Sequence, residues 1–191
     1  MMIRQMVVFG GTKMTERKII LYISQSLDGF IADNNKSVDW IAGENQENNG
    51  DYGYNHFIKN IDTIILGNNT YKQIATELSP DEWVYKGLTS YVFTNEKNKD
   101  TDDIKFINED IITFTEKLKK QKGKNIWICG GANIANQCIN KNIIDEYRIT
   151  TIPILLGRGI RLFNEDNPQI KLSLKKGKKE NGLIECIYVK R

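Results

Sequence analysis

A single histidine, His56, stands among the 191 residues, and the three cysteines, Cys129, Cys138 and Cys186, lie mostly far apart. With one histidine there is no ligand cluster for a metal. A serine or cysteine triad would need His56 beside a nucleophile, and no pattern supplies one. An odd number of cysteines, each in an apolar pattern, reads as free buried thiols in a reducing cytoplasm, not as a disulfide framework. No apolar run approaches membrane-spanning length. Met6-Val7-Val8-Phe9, ended by Gly10-Gly11, is too short for a signal-peptide core. A net charge of +3 with scattered lysines leaves no nucleic-acid footprint. The densest group, Lys171 to Lys179, lies in an alternating stretch expected to face solvent. The Gly-x-Gly-x-x-Gly and Walker patterns are missing, which excludes those two phosphate-binding mechanisms. So is the His-x-Glu with Cys-x-x-Cys signature of a zinc deaminase.

What is present is the ordinary composition of a soluble domain, 40% hydrophobic and 27% charged. Met1–Arg17 reads as an N-terminal extension, with Met14 as an alternative start, and residues 18–191 as one domain. Strands are expected at Ile19–Ser24, Thr63–Leu66, Ser90–Thr94, Ile104–Ile107, Ile126–Cys129 and Glu146–Thr151. Helices are expected at Tyr52–Lys59, Thr70–Glu77, Ile111–Gln121 and Asn133–Asn140. The alternation predicts an α/β fold with a mostly parallel central sheet flanked by helices. Ile170–Lys176 and Leu183–Lys190, joined through Asn181-Gly182, predict a closing antiparallel hairpin.

Two places carry the strongest functional signal. Asn125 to Ala135 runs from an apolar strand into Gly130-Gly131 and then a helix. Paired glycines let backbone approach a ligand, and a helix start offers free N–H groups and a positive dipole end. In an open α/β sheet ligands bind at that edge. Alone, the pair reads as a tight strand-to-helix turn. A second junction of the same design, Leu66-Gly67-Asn68-Asn69-Thr70-Tyr71, makes a dinucleotide with separated phosphates the better explanation. There Thr70 is a helix N-cap or a phosphate hydroxyl donor. The span from Gln25 to Gly50 is long for a loop and carries Asp39-Trp40-Ile41. It reads as a lid or substrate wall, or as a packed Ω-loop.

The ordered set Ser26-Leu27-Asp28-Gly29-Phe30-Ile31-Ala32, Gly67-Asn68-Asn69-Thr70-Tyr71, Cys129-Gly130-Gly131-Ala132-Asn133, Ile144–Thr150 and Pro153–Phe163 resembles the dihydrofolate-reductase-like superfamily. It is nearest the riboflavin-synthesis reductase, the RibD C-terminal domain branch. The resemblance implies an NADPH-dependent reductase of a pteridine- or pyrimidine-like heterocycle, cytoplasmic and homodimeric. By position it implies that Ser24 and Ile31 meet the nicotinamide amide through backbone groups. Gly67, Asn68, Asn69 and Thr70 would bind the adenosine-side phosphates, Thr94 and Asn95 would lie near the adenosine ribose, and Gly130, Gly131, Ala132, Asn133 and Ile134 would cover the pyrophosphate. It also implies a cis Gly130–Gly131 peptide. One departure stands out: Asn68 replaces the usual basic residue that pairs with the 2′-phosphate, which opens the cofactor choice to NADH. Lys97 or Lys99 is the expected substitute charge.

Reducing a C=N bond calls for a carboxyl group that orients the ring and assists protonation, with a pKa raised by partial burial. Asp51 is the first candidate, though it is equally a helix cap; Asp39 is the second. Thr150 supports the acid or is a plain strand residue. Trp40 and Tyr54 line a ring pocket or belong to the core. Gly157-Arg158-Gly159-Ile160-Arg161 suits a substrate phosphate through Arg158, or shapes a dimer contact. A nucleotide-binding module of the same fold without turnover is the alternative function.

Overall fold

The apolar, β-branched runs become strands, and the segments between them that recur every three or four residues become helices. The computed structural model describes residues 16–191 apart from Gln46, Asn48 and Asn49. The expectations for the first fifteen residues lie outside the described residues. In chain order, β1 (Ile19–Ser26), β2 (Phe30–Ala32) and α1 (Tyr54–Ile58) come first. Then follow β3 (Ile61–Gly67), α2 (Asn68–Gln73), β4 (Thr89–Phe93), β5 (Ile104–Ile107) and α3 (Ile111–Lys119). The rest are β6 (Asn125–Gly130), α4 (Ala132–Asn140), β7 (Glu146–Ile152), β8 (Ile160–Arg161), β9 (Leu172–Glu180) and β10 (Leu183–Lys190).

Eight strands form one sheet in the order β5-β4-β3-β6-β1-β7-β10-β9. The pairs from β5 across to β7 are parallel, and β10 runs antiparallel to both β7 and β9. The expected fold class and closing hairpin are therefore present, and β9 faces solvent as its lysines require. Each face of the sheet buries its own apolar layer. Ile19, Leu21, Ile65, Ile126 and Ile128 pack with residues of α3 and α4. On the other face Ile20, Ile64, Leu66 and Trp127 pack with Phe57 of α1 and Ile74. Strands buried on both faces need apolar residues at every position, which is why these runs do not alternate.

Several expectations are corrected. Helix α1 starts at Tyr54, not Tyr52, because Tyr52 (φ 49) and Gly53 (φ 86) close a left-handed turn ahead of it. Helix α2 starts directly after Gly67, so Thr70 lies inside its first turn and is not the N-cap; a π-helical turn, Ile74–Leu78, continues it. The Gln25–Gly50 span is not a structureless loop: β2 pairs antiparallel with β8. Asp28 accepts from Ser26 Oγ (2.6 Å) and from the N–H groups of Leu156 (3.1 Å) and Gly157 (2.7 Å), which ties the Pro153–Phe163 segment to the end of β1. Of the cysteines only Cys138 is buried; Cys129 and Cys186 are half-buried, and all three are free. Arg17, set with the extension above, is buried, bonded to Thr63 Oγ1 (2.6 Å) and paired with Asp62.

Candidate functional site

Parallel neighbours β3 and β6 end side by side, with Leu66 opposite Gly130, so the two strand–glycine–helix turns sit next to each other at the sheet's carboxyl edge. A Cβ on Gly67 would lie 3.1 Å from Ile134 Cγ1, and one on Gly131 would lie 3.2 Å from Thr70 Oγ1. Each glycine therefore lets its junction approach the other. Gly130 has φ 128, a conformation that disfavours any side chain, and the Gly130–Gly131 peptide is cis, as the resemblance implied. Neither α2 nor α4 has a side-chain cap at its start. A helix start without a side-chain cap can offer its first-turn N–H groups to a ligand, and its dipole suits negative charge.

These turns open on a cleft of about 1180 Å³. It brings together Ser24, Ile31, Gly67, Asn68, Asn69 and Thr70 from the first half of the chain. Gly131, Ala132, Asn133 and Ile134 join them from the second, while Gly130 stays off the lining. The segment from Asn35 to Asp39, with Ile41, forms part of the cleft wall, in line with the reading of that span as a wall. Thr94 and Asn95 line a second cavity of about 330 Å³, which shares Phe93, Asn133 and Ile134 with the cleft.

At Asn68 the local charge comes from an unexpected place. Asn68 Nδ2 donates to Glu96 Oε1 at 2.9 Å, and Lys72 Nζ donates to the same oxygen at 2.7 Å. Lys72, one helical turn from Asn68, lines the cleft; Lys97 and Lys99 line neither cavity. The Lys72 ammonium holds the Glu96 carboxyl below its ordinary range, with Asn68 adding a smaller pull. Asn68 Oδ1 is buried with no donor.

The candidate acids fare differently from their expected roles. Asp51 is exposed and absent from the cleft lining. It accepts from the N–H groups of Gly53 and Asn55, both at 3.0 Å, the geometry of a turn and helix cap. Those two N–H bonds lower its pKa, where a working acid was expected to have a raised one. Asp39 does line the cleft, at its exposed wall. Thr150 is buried between Ser24 of β1 and Glu185 of β10 in the sheet register, off the cleft lining. Trp40 donates to Ser37 O (3.1 Å) and is not on the lining either, whereas Tyr54 is. Arg158 is exposed and away from both cavities.

Sequence reasoning missed most of the aromatic lining. Tyr22, Tyr85, Trp127 and Cys129 join Tyr54 there. Trp127 meets Tyr85 edge-on with ring centroids 5.2 Å apart, and Tyr54 at 6.2 Å. Trp127 Nε1 donates to Tyr22 O at 2.9 Å, and Tyr85 Oη contacts Cys129 Sγ at 3.6 Å. Burial pushes the Tyr22 phenol up to about 12 and raises those of Tyr54 and Tyr85; it lifts the Cys129 thiol to about 11. This lining is thus neutral at physiological pH. The one available signal was that Tyr22 and Trp127 interrupt otherwise aliphatic strands.

The model of the family described as RibD C-terminal domain matches residues 17–181. Two relatives are the uncharacterized proteins YwjB and YyaP of Bacillus subtilis (strain 168). YwjB is 43% identical over 92% of this chain and 99% of its own length; YyaP is 32% identical over 91% and 95%. Among solved structures, a putative riboflavin biosynthesis protein from Shewanella sp. PV-4 superposes with TM-score 0.80 at 27% identity, covering 91% of this chain and 99% of that one. A deaminase/5-amino-6-(5-phosphoribosylamino)uracil reductase from Thermotoga maritima shares the fold, with TM-score 0.66 and 13% identity over 92% of this chain and 57% of that one.

Proposed function

We propose that this chain, which belongs to the RibD C-terminal domain family, is a reductase that passes a hydride from a reduced nicotinamide dinucleotide to a pteridine- or pyrimidine-like heterocycle. One observation carries the reading: two uncapped, glycine-led helix starts converge on a cleft that also holds a cluster of neutral aromatic side chains, Tyr22, Tyr54, Tyr85 and Trp127. The residues present fit the cofactor. The junction glycines leave room that a Cβ would fill, and the orphaned Asn68 Oδ1 is an acceptor awaiting a donor. Gly67 to Thr70 and Gly131 to Ile134 would hold the phosphates, with Ser24 and Ile31 near the nicotinamide. NADPH is the cofactor that the family resemblance implies.

When bound, that cofactor supplies the hydride; the chain positions the rings and manages the proton. Tyr22, Tyr54, Tyr85 and Trp127 offer flat apolar faces for a heterocycle and displace water from it. Hydride addition to the carbon of a C=N bond leaves the nitrogen to take a proton, which solvent water supplies at the exposed wall of the cleft. Phenols whose pKa is raised stay protonated and donate hydrogen bonds to such a nitrogen. Of the two carboxylates on the lining, Asp39 and Glu77, Asp39 would orient an amino-imine face. Because Asp51 is engaged as a cap, a binding module without turnover is the second reading.

Titration with NADPH and NADH, followed through tryptophan fluorescence with Trp127 as the cleft reporter, tests the proposal. Saturable quenching is expected, then oxidation of the cofactor in the presence of dihydrofolate or the phosphoribosylamino-pyrimidine of riboflavin synthesis. No binding of either cofactor at millimolar concentration sinks the reductase reading. Binding without oxidation by any heterocycle identifies the module.

A further inference from the structure

We infer that Glu96, clamped to Asn68 and Lys72, selects a dinucleotide whose adenosine ribose carries a free 2′-hydroxyl, so that NADH and not NADPH is the cofactor. The inference rests on the reductase reading and goes beyond it.

The two cavities share Phe93, Asn133 and Ile134. A dinucleotide whose phosphates lie at the start of α4 has room for its nicotinamide half in the larger cavity and its adenosine in the smaller one. Asn68 and Lys72 line the larger cavity, and Asn95, the neighbour of Glu96, lines the smaller. Glu96 itself lines neither cavity, but its two partners line the larger one and its neighbour Asn95 the smaller, so the cluster stands behind the wall by their junction, where the adenosine ribose would pass.

The chemistry of that cluster favours a hydroxyl over a phosphate. A carboxylate accepts from the N–H side of an amide and repels its oxygen, so Glu96 fixes which way Asn68 turns. The amide oxygen that remains is buried and lacks a donor. A ribose hydroxyl donates one hydrogen bond and so satisfies a carboxylate oxygen; a phosphate dianion has no proton to donate and does not. Both donors to Glu96 go to Oε1, which leaves Oε2 with its accepting capacity. Lys72, which lines the larger cavity beside Asn68, is already paired with Glu96. The smaller cavity adds Glu109 and Asp110 and no lysine or arginine among its lining residues. A second phosphate would therefore meet net negative charge, in a place where like charges disfavour binding.

The test is a set of binding titrations of the intact protein with NADH and NADPH, by calorimetry and tryptophan quenching, at low and high salt. The wild type is expected to bind NADH at least about tenfold more tightly, roughly the factor that one unpaired charge contributes, and the gap should narrow as salt screens it. Glu96→Gln removes the carboxylate and releases Lys72, so NADPH binding should strengthen and the ratio fall; Glu96→Lys should reverse it. Glu96 is exposed, so both variants are expected to fold. Equal or tighter binding of NADPH by the wild type overturns the inference, as does an unchanged ratio in Glu96→Gln. Failure of both cofactors to bind overturns the reductase reading as well, and so is distinct from a wrong preference.

Discussion

Replacing Gly67 with alanine separates a glycine kept for a ligand from one kept for the fold. Gly67 has φ −83 and ψ 160, an extended conformation open to alanine. Restricting the unfolded chain there should stabilise the variant by about 0.4–1 kcal/mol. Against this, the new methyl would lie 3.1 Å from Ile134 Cγ1 and 3.8 Å from its Cδ1. Overpacking costs about 1–3 kcal/mol, near the lower end where the neighbour is a side chain that can shift. The net is a loss of no more than about 0.6 kcal/mol, or at most about 2 °C in Tm for a domain of this size. Dinucleotide affinity should suffer more, because the methyl stands between the two junctions where the phosphates are proposed to run. A loss of at least about tenfold, roughly 1.4 kcal/mol, is expected. Gly130→Ala supplies the contrast. At φ 128 an alanine carries backbone strain of about 1–3 kcal/mol, so here stability should fall first. Thermal scans paired with fluorescence titrations of both variants measure the two effects. If Gly67→Ala binds NADH and NADPH with wild-type affinity, the cradle argument is refuted.

Three further outcomes are expected. Asp51→Asn should leave the pH profile of turnover unmoved, since Asp51 caps a turn; its depressed pKa means that its contribution to stability is present at neutral pH and lost as pH falls through its folded pKa, below the ordinary aspartate range, so only the acid end of the unfolding curve should change. A lost acid limb in turnover would restore Asp51 as the working acid. Arg17→Ala strips a buried guanidinium from Asp62, Thr63 and the carbonyls of Lys124 and Leu118, and should cost about 3 kcal/mol in denaturant unfolding; a loss under about 1 kcal/mol would show that the network is dispensable. Light scattering should give twice 22.0 kDa, with Leu174 and Ile184, both exposed on the edge hairpin, as the contact; a monomer mass would remove that proposal.

The parallel core, both glycine junctions and the closing hairpin can be read directly from the order of residues. Each is written in local chemistry: unbroken apolar runs for strands buried on two faces, glycine where a strand turns into a helix, Asn181-Gly182 at a hairpin. The two glycine junctions were legible as ligand sites because a parallel sheet binds at its carboxyl edge, whereas the convergence of Ser24 and Ile31 with Gly67–Thr70 and Gly131–Ile134 on one cleft was implied by the family resemblance and by no local pattern. Side-chain partners were decided only in three dimensions. Whether Asp51 is an acid or a cap depends on where the Gly53 and Asn55 N–H groups point, and the left-handed turn at Tyr52-Gly53 aims them at it. Arg17 joins the core because Asp62 and Thr63, more than forty positions away, meet it there. The pairing of Asn68 with Glu96 spans two strand ends, 28 residues apart, brought together by the β3–β4 ladder. No local pattern encodes such a contact, because its energy exists only once the sheet has formed.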